Sequence, residues 1–211
     1  MKRKLLLLVA LLALVGVGAA LADGVGFRAK TSRFNPGSAP VSDASSWVRG
    51  AGVPGTSSDQ GLVLLMSAIV PYPPGASADA TITPVKGVVL TSLGLDHLIG
   101  TYCTNGSPRW DVETTNGGVY GVGCASGTHT IAGMPAGWER ITFSNADFQT
   151  LSGPAWGGFG SAGAKLTFLQ VLQDEAGVSV LDNLQINGAM IGGAGGNHGE
   201  NGGENGGEND D

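Results

Sequence analysis

The fold is decided by residues 109–124, which read RWDVETTNGGVYGVGC. In residues 109–114 the even positions carry Trp, Val and Thr, and the odd positions carry charged side chains. This period of two predicts a half-buried β-strand. Asn116, Gly117 and Gly118 supply the positive φ angles of a tight turn, and residues 119–124 return as the partner strand. The stretch therefore predicts an antiparallel β-hairpin.

Outward from this hairpin, strand-like segments continue along residues 41–191. In residues 138–143 Ile141 and Phe143 are predicted to face inward. Three further segments, residues 61–70, 88–95 and 166–172, are apolar on both faces, as central strands are. With the hairpin, the predicted strands number about eight: 61–70, 80–84, 88–95, 109–114, 119–124, 138–143, 166–172 and 178–186. Turn residues separate most of them, and no helical period is present. This pattern predicts an all-β fold, a two-sheet antiparallel β-sandwich of the jelly-roll type.

The composition agrees with short strands, and the net charge bears on whether the protein binds nucleic acid. Of 211 residues 37 are Gly, and only 13% are charged, too few to cover the exposed faces of long surface helices. Removing Lys2, Arg3 and Lys4 with the export signal described below takes the basic side chains from 11 to 8 against 17 acidic ones, a net charge of about −9. Nucleic acid is therefore excluded as a partner, because phosphate binding needs clustered Lys and Arg.

The N-terminal residues have the pattern of an export signal. A charged start, residues 1–4, precedes an apolar run over residues 5–20, and Ala20-Leu21-Ala22 offers a small-x-small cleavage site. We predict a signal peptide over residues 1–22 and an extracellular or periplasmic location, with no stable membrane anchor after cleavage. The alternative is an uncleaved anchor, since the run is just under bilayer-spanning length.

The remaining chain divides into three parts by composition. Residues 23–40 have little apolar periodicity and predict a lead-in strand or flexible arm. Residues 41–191 form the predicted sandwich domain. Residues 192–211 are rich in Gly, Glu and Asn, contain a tetrapeptide repeat and lack large apolar side chains, so they cannot offset chain entropy. This acidic tail is predicted to be disordered.

The two cysteines, Cys103 and Cys124, are an even pair in a chain predicted to be exported. A disulfide is the expected state, because the extracytoplasmic environment is oxidising. It would close a loop of about 21 residues and stabilise the fold by roughly 3 kcal/mol on the chain-entropy model. Two buried free thiols are the alternative.

One segment near the C-terminal end carries a family resemblance. The run from Val180 to Gly188, VLDNLQING, preceded by Gln173-Asp174-Glu175, resembles the closing strands of galactose-binding-like and carbohydrate-binding-module sandwiches. Residues 85–91 and 108–112 are similar to segments of exported bacterial β-sandwich proteins with a Cys pair at this place. The resemblance covers residues 61–188. It implies the sandwich fold, and many such domains bind glycans or serve as structural modules.

Asp182 interrupts an apolar set, because its parity places it with Val180 and Leu184 on the face expected to form the core. A buried carboxylate needs hydrogen-bond donors, a cation or a raised pKa. Backbone amides or Arg140 could satisfy it. A structural Ca²⁺ site with Asp174 or Glu175 is a second possibility, which similar modules suggest, and no other cofactor is expected. The third possibility is a bulge that changes the parity.

Catalytic patterns are sparse. His97, His129 and His198 form no His-x-x-x-His or His-Glu-x-x-His motif, and Ser126 stands one place late for a nucleophile elbow. His97 is expected to be a hydrogen-bonded residue at the rim rather than a general base. Paired carboxylates for glycoside hydrolysis could come from several acids, but the sequence does not show a pair at the needed separation. No catalytic residue is predicted.

Two aromatic residues, Trp156 and Phe159, stand in a segment too rich in Gly to be a strand, residues 153–160. An exposed indole can stack on a sugar ring, so both are predicted ligand-binding residues. The alternative is that Trp156 folds back and caps the edge of the sandwich. The sequence thus predicts a secreted, non-catalytic binding or structural module for an extracellular glycan or envelope component. A secreted hydrolase of a polysaccharide or ester is the alternative.

Overall fold

The structure is a computed structural model that describes residues 26–34, 43–55, 59–67 and 76–191. Within these residues the chain forms thirteen β-strands and three short 3₁₀ turns, and no α-helix. The strands build two antiparallel sheets that pack against each other, so the predicted all-β sandwich is confirmed.

The first sheet has six strands, in the spatial order β1-β4-β11-β6-β7-β10. Its strands are β1 (Arg28–Phe34), β4 (Ser77–Thr83), β6 (Arg109–Thr114), β7 (Val119–Gly123), β10 (Gln149–Ser152) and β11 (Leu166–Gln173).

The second sheet has seven strands, in the spatial order β2-β3-β12-β5-β9-β8, with β13 paired to the end of β12. Its strands are β2 (Asp43–Arg49), β3 (Gln60–Met66), β5 (Leu93–Leu98), β8 (Thr128–Thr130), β9 (Trp138–Thr142), β12 (Gly177–Ile186) and β13 (Ala189–Ile191).

The hairpin predicted from residues 109–124 is present as β6 and β7. Trp110 lies opposite Val122 and Val112 opposite Tyr120, and all four side chains are buried in the main core between the sheets. Gly117 has φ +83° at the turn, which a residue with a Cβ adopts only at a cost. The alternation in the sequence therefore predicted correctly that β6 and β7 pair and which of their side chains face the core.

A strand occurs at each of the eight predicted places, although β5 covers residues 93–98 where 88–95 was predicted, and five more strands are present, of which β1 lies in the segment predicted as a lead-in strand or flexible arm. Four of these, β1, β2, β8 and β10, are the outer edges of the two sheets, and β13 is a short addition beside β12. The predicted count of about eight was therefore too low. β1 occupies residues 28–34, so part of the predicted lead-in segment pairs with β4 as a strand.

A second, smaller apolar cluster lies on the outer face of the seven-stranded sheet. Val53, Trp138 and Val180 are its buried members. The main core instead receives Leu181, Leu184 and Ile186 from β12. A register shift between Asp182 and Gln185, where Asn183 has φ +43°, changes the face of the strand. The expectation that Asp182 shares the core face with Leu184 is thus wrong, because a bulge intervenes.

The predicted disulfide is present. Cys103 and Cys124 are bonded, and their Cα atoms lie 5.3 Å apart. Cys103 follows β5 of one sheet and Cys124 follows β7 of the other, so the bond ties the two sheets together at one end of the sandwich.

The predicted signal peptide, residues 1–22, and the predicted disordered tail, residues 192–211, lie outside the described residues. In the part of the chain that the structure describes, no helix has the length and apolar character needed to cross a membrane.

Candidate functional site

An open groove of about 530 Å³ lies on the outer face of the six-stranded sheet. It runs across the neighbouring strands β1, β4, β11 and β6, and on β4, β11 and β6 the side chains that line it stand at alternate positions. The lining contains four carboxylates, from Asp79, Asp111, Glu113 and Asp174, together with Arg33, Arg109 and Gln170. Two phenylalanine rings complete it. A rigid sheet therefore presents polar groups and rings side by side.

The strand register explains why these side chains meet. On β11, Leu172 lies between Asp79 of β4 and Arg109 of β6. Two residues earlier, Gln170 lies opposite Asp111. The charges of β6 that the sequence placed on the outer face therefore form one wall of the groove.

Arg109 organises the acidic side of the groove. Its Nε lies 2.7 Å from Asp111 Oδ1, and its Nη1 lies 2.5 Å from Asp174 Oδ2. Burial alone would lower the pKa of Arg109, but these two carboxylates outweigh it and raise that pKa. Asp174 also accepts a hydrogen bond of 2.6 Å from Ser107 Oγ. The guanidinium holds both carboxylates in fixed positions along the groove.

Asp79 forms the opposite wall and is nearly buried. Its two oxygens accept hydrogen bonds from Ser32 Oγ at 2.6 Å and Ser77 Oγ at 2.7 Å. Each carboxylate oxygen has two acceptor sites, so one serine hydroxyl on each leaves further acceptor capacity. The serines thus orient the Asp79 carboxylate.

The two rings of the groove are Phe34 and Phe168. Phe34 stands at the end of β1 and is 57% exposed, and Phe168 is half-buried on β11. Neither ring belongs to the main core or to the second cluster among the described residues. Exposed rings in a polar groove are typical of ligand contact surfaces.

The three acids predicted as metal ligands do not meet. Asp174 binds Arg109 and Ser107, whereas Glu175 accepts hydrogen bonds from Tyr102 at 2.8 Å and Thr104 at 2.7 Å. Asp182 lies on the other sheet. Among the described residues, the one group of three potential ligand atoms within 4.8 Å of one another is made of His97 and the two cysteines.

Asp182 anchors a loop to the outer face of the seven-stranded sheet. Its Oδ2 accepts a hydrogen bond of 2.7 Å from the Val53 amide, and its Oδ1 accepts one of 2.6 Å from the Asn183 amide. Burial raises the pKa of Asp182, the two amides oppose that shift, and the charge of Asp96 adds to it. Arg140 binds Asp96 instead, at 3.0 Å. The sequence left two kinds of donor open for Asp182, backbone amides and Arg140, and the backbone amides are the ones that bind it.

Trp156 and Phe159 lie in an aromatic cluster that packs against the main core. The Trp156 ring stacks on Phe148 at 4.1 Å with an interplanar angle of 4°, and its edge contacts Tyr120 at 5.0 Å. Asn145 Oδ1 accepts hydrogen bonds from Trp156 Nε1 and from the Phe159 amide. This geometry matches the alternative in which Trp156 caps the edge of the sandwich, because one face of the indole is already covered.

A polar cluster that was not predicted joins buried His97, half-buried Glu139 and exposed His129, and His97 lies next to the disulfide. Glu139 Oε1 is 2.8 Å from His97 Nδ1, and Glu139 Oε2 is 2.9 Å from His129 Nδ1. Burial would raise the pKa of Glu139, but the two histidines outweigh it and hold that pKa below its usual value. His97 is only 2% exposed, so the expectation of a rim position is wrong. Its parity with Leu95 was the signal that could have revealed the inward position.

Thr101 lies on the other side of the His97 ring from Glu139. Its Oγ1 is 3.0 Å from His97 Nε2 and 2.7 Å from the Leu98 carbonyl oxygen, and it accepts a hydrogen bond of 3.3 Å from the Val180 amide. The ring of His97 is therefore held between Thr101 and Glu139.

No protein-family model matches the chain, and neither the curated proteins nor the solved structures contain a match.

Proposed function

We propose that this protein is an exported, non-catalytic binding module that holds a glycan in the groove of the six-stranded sheet. The observation that carries the proposal is the groove itself, where exposed rings lie beside oriented carboxylates and an arginine. Sugar rings combine apolar C–H faces with hydroxyl groups. They are complemented by aromatic faces and by acceptors in fixed positions.

The charge of the groove favours a neutral or amino sugar over an acidic one. Four carboxylates face two arginines, and Arg109 is already paired with Asp111 and Asp174. An anionic ligand would meet unneutralised negative charge, whereas hydroxyl groups and ammonium groups would meet acceptors.

Ion pairing in the groove supports binding over hydrolysis. Arg109 holds Asp111 and Asp174 as ion-paired carboxylates, and two serine hydroxyls hold Asp79. A glycoside hydrolase needs a pair of carboxyl groups that are free to move a proton or to attack the sugar. Release of reducing sugar or of an ester product by the purified protein would contradict the non-catalytic proposal.

The test is a glycan array probed with the purified protein, followed by titration of the strongest ligand. Phe34→Ala and Asp111→Asn are expected to weaken binding about tenfold each, since stacking on one ring is worth about 1–3 kcal/mol. Leu151→Ala is the matched control, because Leu151 is 54% exposed on β10 and does not line the groove.

Trp156→Ala tests whether the glycan binds at the loop of residues 153–160 rather than in the groove. If a folded Trp156→Ala protein loses the ligand while Phe34→Ala retains it, the contact lies on the loop at residues 153–160 and the groove assignment is wrong. If no glycan on the array binds, the proposed ligand class is wrong.

A further inference from the structure

Each of the two rings in the groove stands beside a carboxylate. Phe168 on β11 lies directly opposite Glu113 on β6 in the strand register. Phe34 on β1 lies opposite Ser77 on β4, and Asp79 follows two residues later on the same face of β4. Side chains that are opposite or diagonal on one face of a sheet are within reach of each other. The groove therefore contains two pairs of a ring and a carboxylate.

These two carboxylates have no cationic partner among the residues that the structure describes. Arg109 binds Asp111 and Asp174, and the other ion pairs of the described residues lie on the seven-stranded sheet. Asp79 is only 6% exposed, yet its hydrogen-bond donors are two neutral serine hydroxyls. Glu113 is exposed at the other end of the groove. Because a carboxylate removed from water is costly without a counter-charge, Asp79 favours a cation in the groove.

The two pairs stand far apart in the groove. Asp79 is level with Leu172 and Arg109 in the register, and Glu113 stands four residues beyond Arg109 on β6. With two strand spacings between β4 and β6, the two carboxylates are separated by roughly 17 Å. They are therefore not one acidic cluster around a single ion. A ligand that meets both pairs must be an extended chain with more than one cationic group.

We propose, building on the glycan-binding function proposed above, that the groove selects oligosaccharides of amino sugars whose amines are free and protonated. One ammonium group binds Asp79 beside the Phe34 ring, and another binds Glu113 beside the Phe168 ring. An ammonium group is attracted both by a carboxylate and by the face of an aromatic ring. The lining also has four carboxylates against two arginines, so its field attracts a polycation. N-acetylation of the sugar removes the charge that both pairs recognise.

The test compares chitosan tetrasaccharide, which has free amines, with chitin tetrasaccharide, which has the same backbone with acetylated amines. Isothermal titration calorimetry is carried out at a slightly acidic pH, where the amines are protonated. We expect chitosan tetrasaccharide to bind at least about tenfold more tightly. Equal affinities, or tighter binding of the chitin oligomer, would overturn the selection of free amines and leave glycan binding in place. If neither oligomer binds, the selection is likewise overturned, and glycan binding falls with it only if the glycan array is also empty.

Tetralysine is the second probe, because it presents several ammonium groups without a sugar ring. We expect it to bind at least about tenfold more weakly than chitosan tetrasaccharide, since it lacks the C–H faces that pack on the two rings. Equal binding of tetralysine would overturn the assignment to an amino sugar.

Variants locate the amine contacts. Glu113→Gln and Asp79→Asn should each weaken binding of chitosan tetrasaccharide about tenfold and leave binding of the chitin oligomer unchanged. Glu113 is exposed, so Glu113→Gln keeps the test valid even if Asp79→Asn fails to fold. Asp59→Asn is the matched control, because it removes the same charge from an exposed residue outside the groove. An effect of Glu113→Gln below about twofold, or an equal effect of Asp59→Asn, would overturn the proposal.

Discussion

Replacing Trp156 by Ala should unfold the protein more easily, although the residue stands in a loop rich in Gly. The change removes the stacked contact with Phe148 and the two edge contacts with Tyr120 and Phe159. Each aromatic pair is worth about 0.5–1.5 kcal/mol beyond area burial. The lost hydrogen bond to Asn145 adds about 1 kcal/mol. The expected loss in the free energy of unfolding is therefore about 3–5 kcal/mol.

Phe34→Ala is the matched control, because it also removes an aromatic ring but from a position that is 57% exposed. Surface substitutions of this kind change stability by about 0.5 kcal/mol or less. Phe34→Ala should thus bind the ligand about tenfold more weakly and keep its stability, whereas a folded Trp156→Ala protein should be less stable and bind the ligand as the original protein does.

The assay is unfolding in urea followed by far-UV circular dichroism, since the loss of an indole would alter a fluorescence signal. Linear extrapolation gives the free energy of unfolding of each variant. A difference of less than about 1 kcal/mol between the two variants would refute the view that the Trp156 cluster is part of the packing.

Three further outcomes follow from particular contacts. Glu139→Gln should lower the free energy of unfolding by about 2–3 kcal/mol near neutral pH, because it weakens the hydrogen bonds from two histidines. Because the fold lowers the pKa of Glu139, the original protein should lose this advantage as pH falls through that pKa, and urea curves that show a constant difference at several pH values would contradict the reasoning. Asp182→Asn should gain stability relative to the original protein as pH rises from about 4 through the raised pKa of Asp182, because ionisation of this buried carboxyl destabilises the fold. Paired urea curves whose difference does not change with pH would refute this. Gly123→Ala should lower the melting temperature by several degrees, because the new Cβ would overlap the Asn105 carbonyl. Gly26→Ala is the control, since its Cβ meets open space, and equal melting temperatures for the two variants would contradict the overlap.

The interior of the sandwich was predictable from sequence, and its edges were not. The central strands β3, β5 and β11 lie between two neighbours each, so both of their edges are paired, and every second residue is buried in the core between the sheets. β8 and β10 are fully exposed, and their polar sequences show no alternation. An edge strand has one hydrogen-bonding edge without a partner, and polar side chains there discourage pairing with another chain. Periodicity is therefore weakest where the sheets end.

The candidate sites were only partly predictable. The period of two placed Asp111 on an outer face, but strand order alone brings it beside Gln170 and near Asp79. A bulge near Asp182 was one of the three possibilities that the sequence left open, but the sequence could not select it, because an inserted residue inverts the parity without leaving an apolar signature. The histidine cluster needed the register of β5 against β9, where His97 lies directly opposite Glu139.

The order of the strands along the chain has a consequence for how the molecule forms. β11 lies between β4 and β6 in one sheet, and β12 lies between β3 and β5 in the other, so both central positions are filled by residues 166–186. A chain that emerges from its N-terminus leaves four earlier strands with an unoccupied neighbour until these residues arrive. Pairs such as β2–β3 and β6–β7 can form early, but neither sheet can be completed until residues 166–186 have been synthesised.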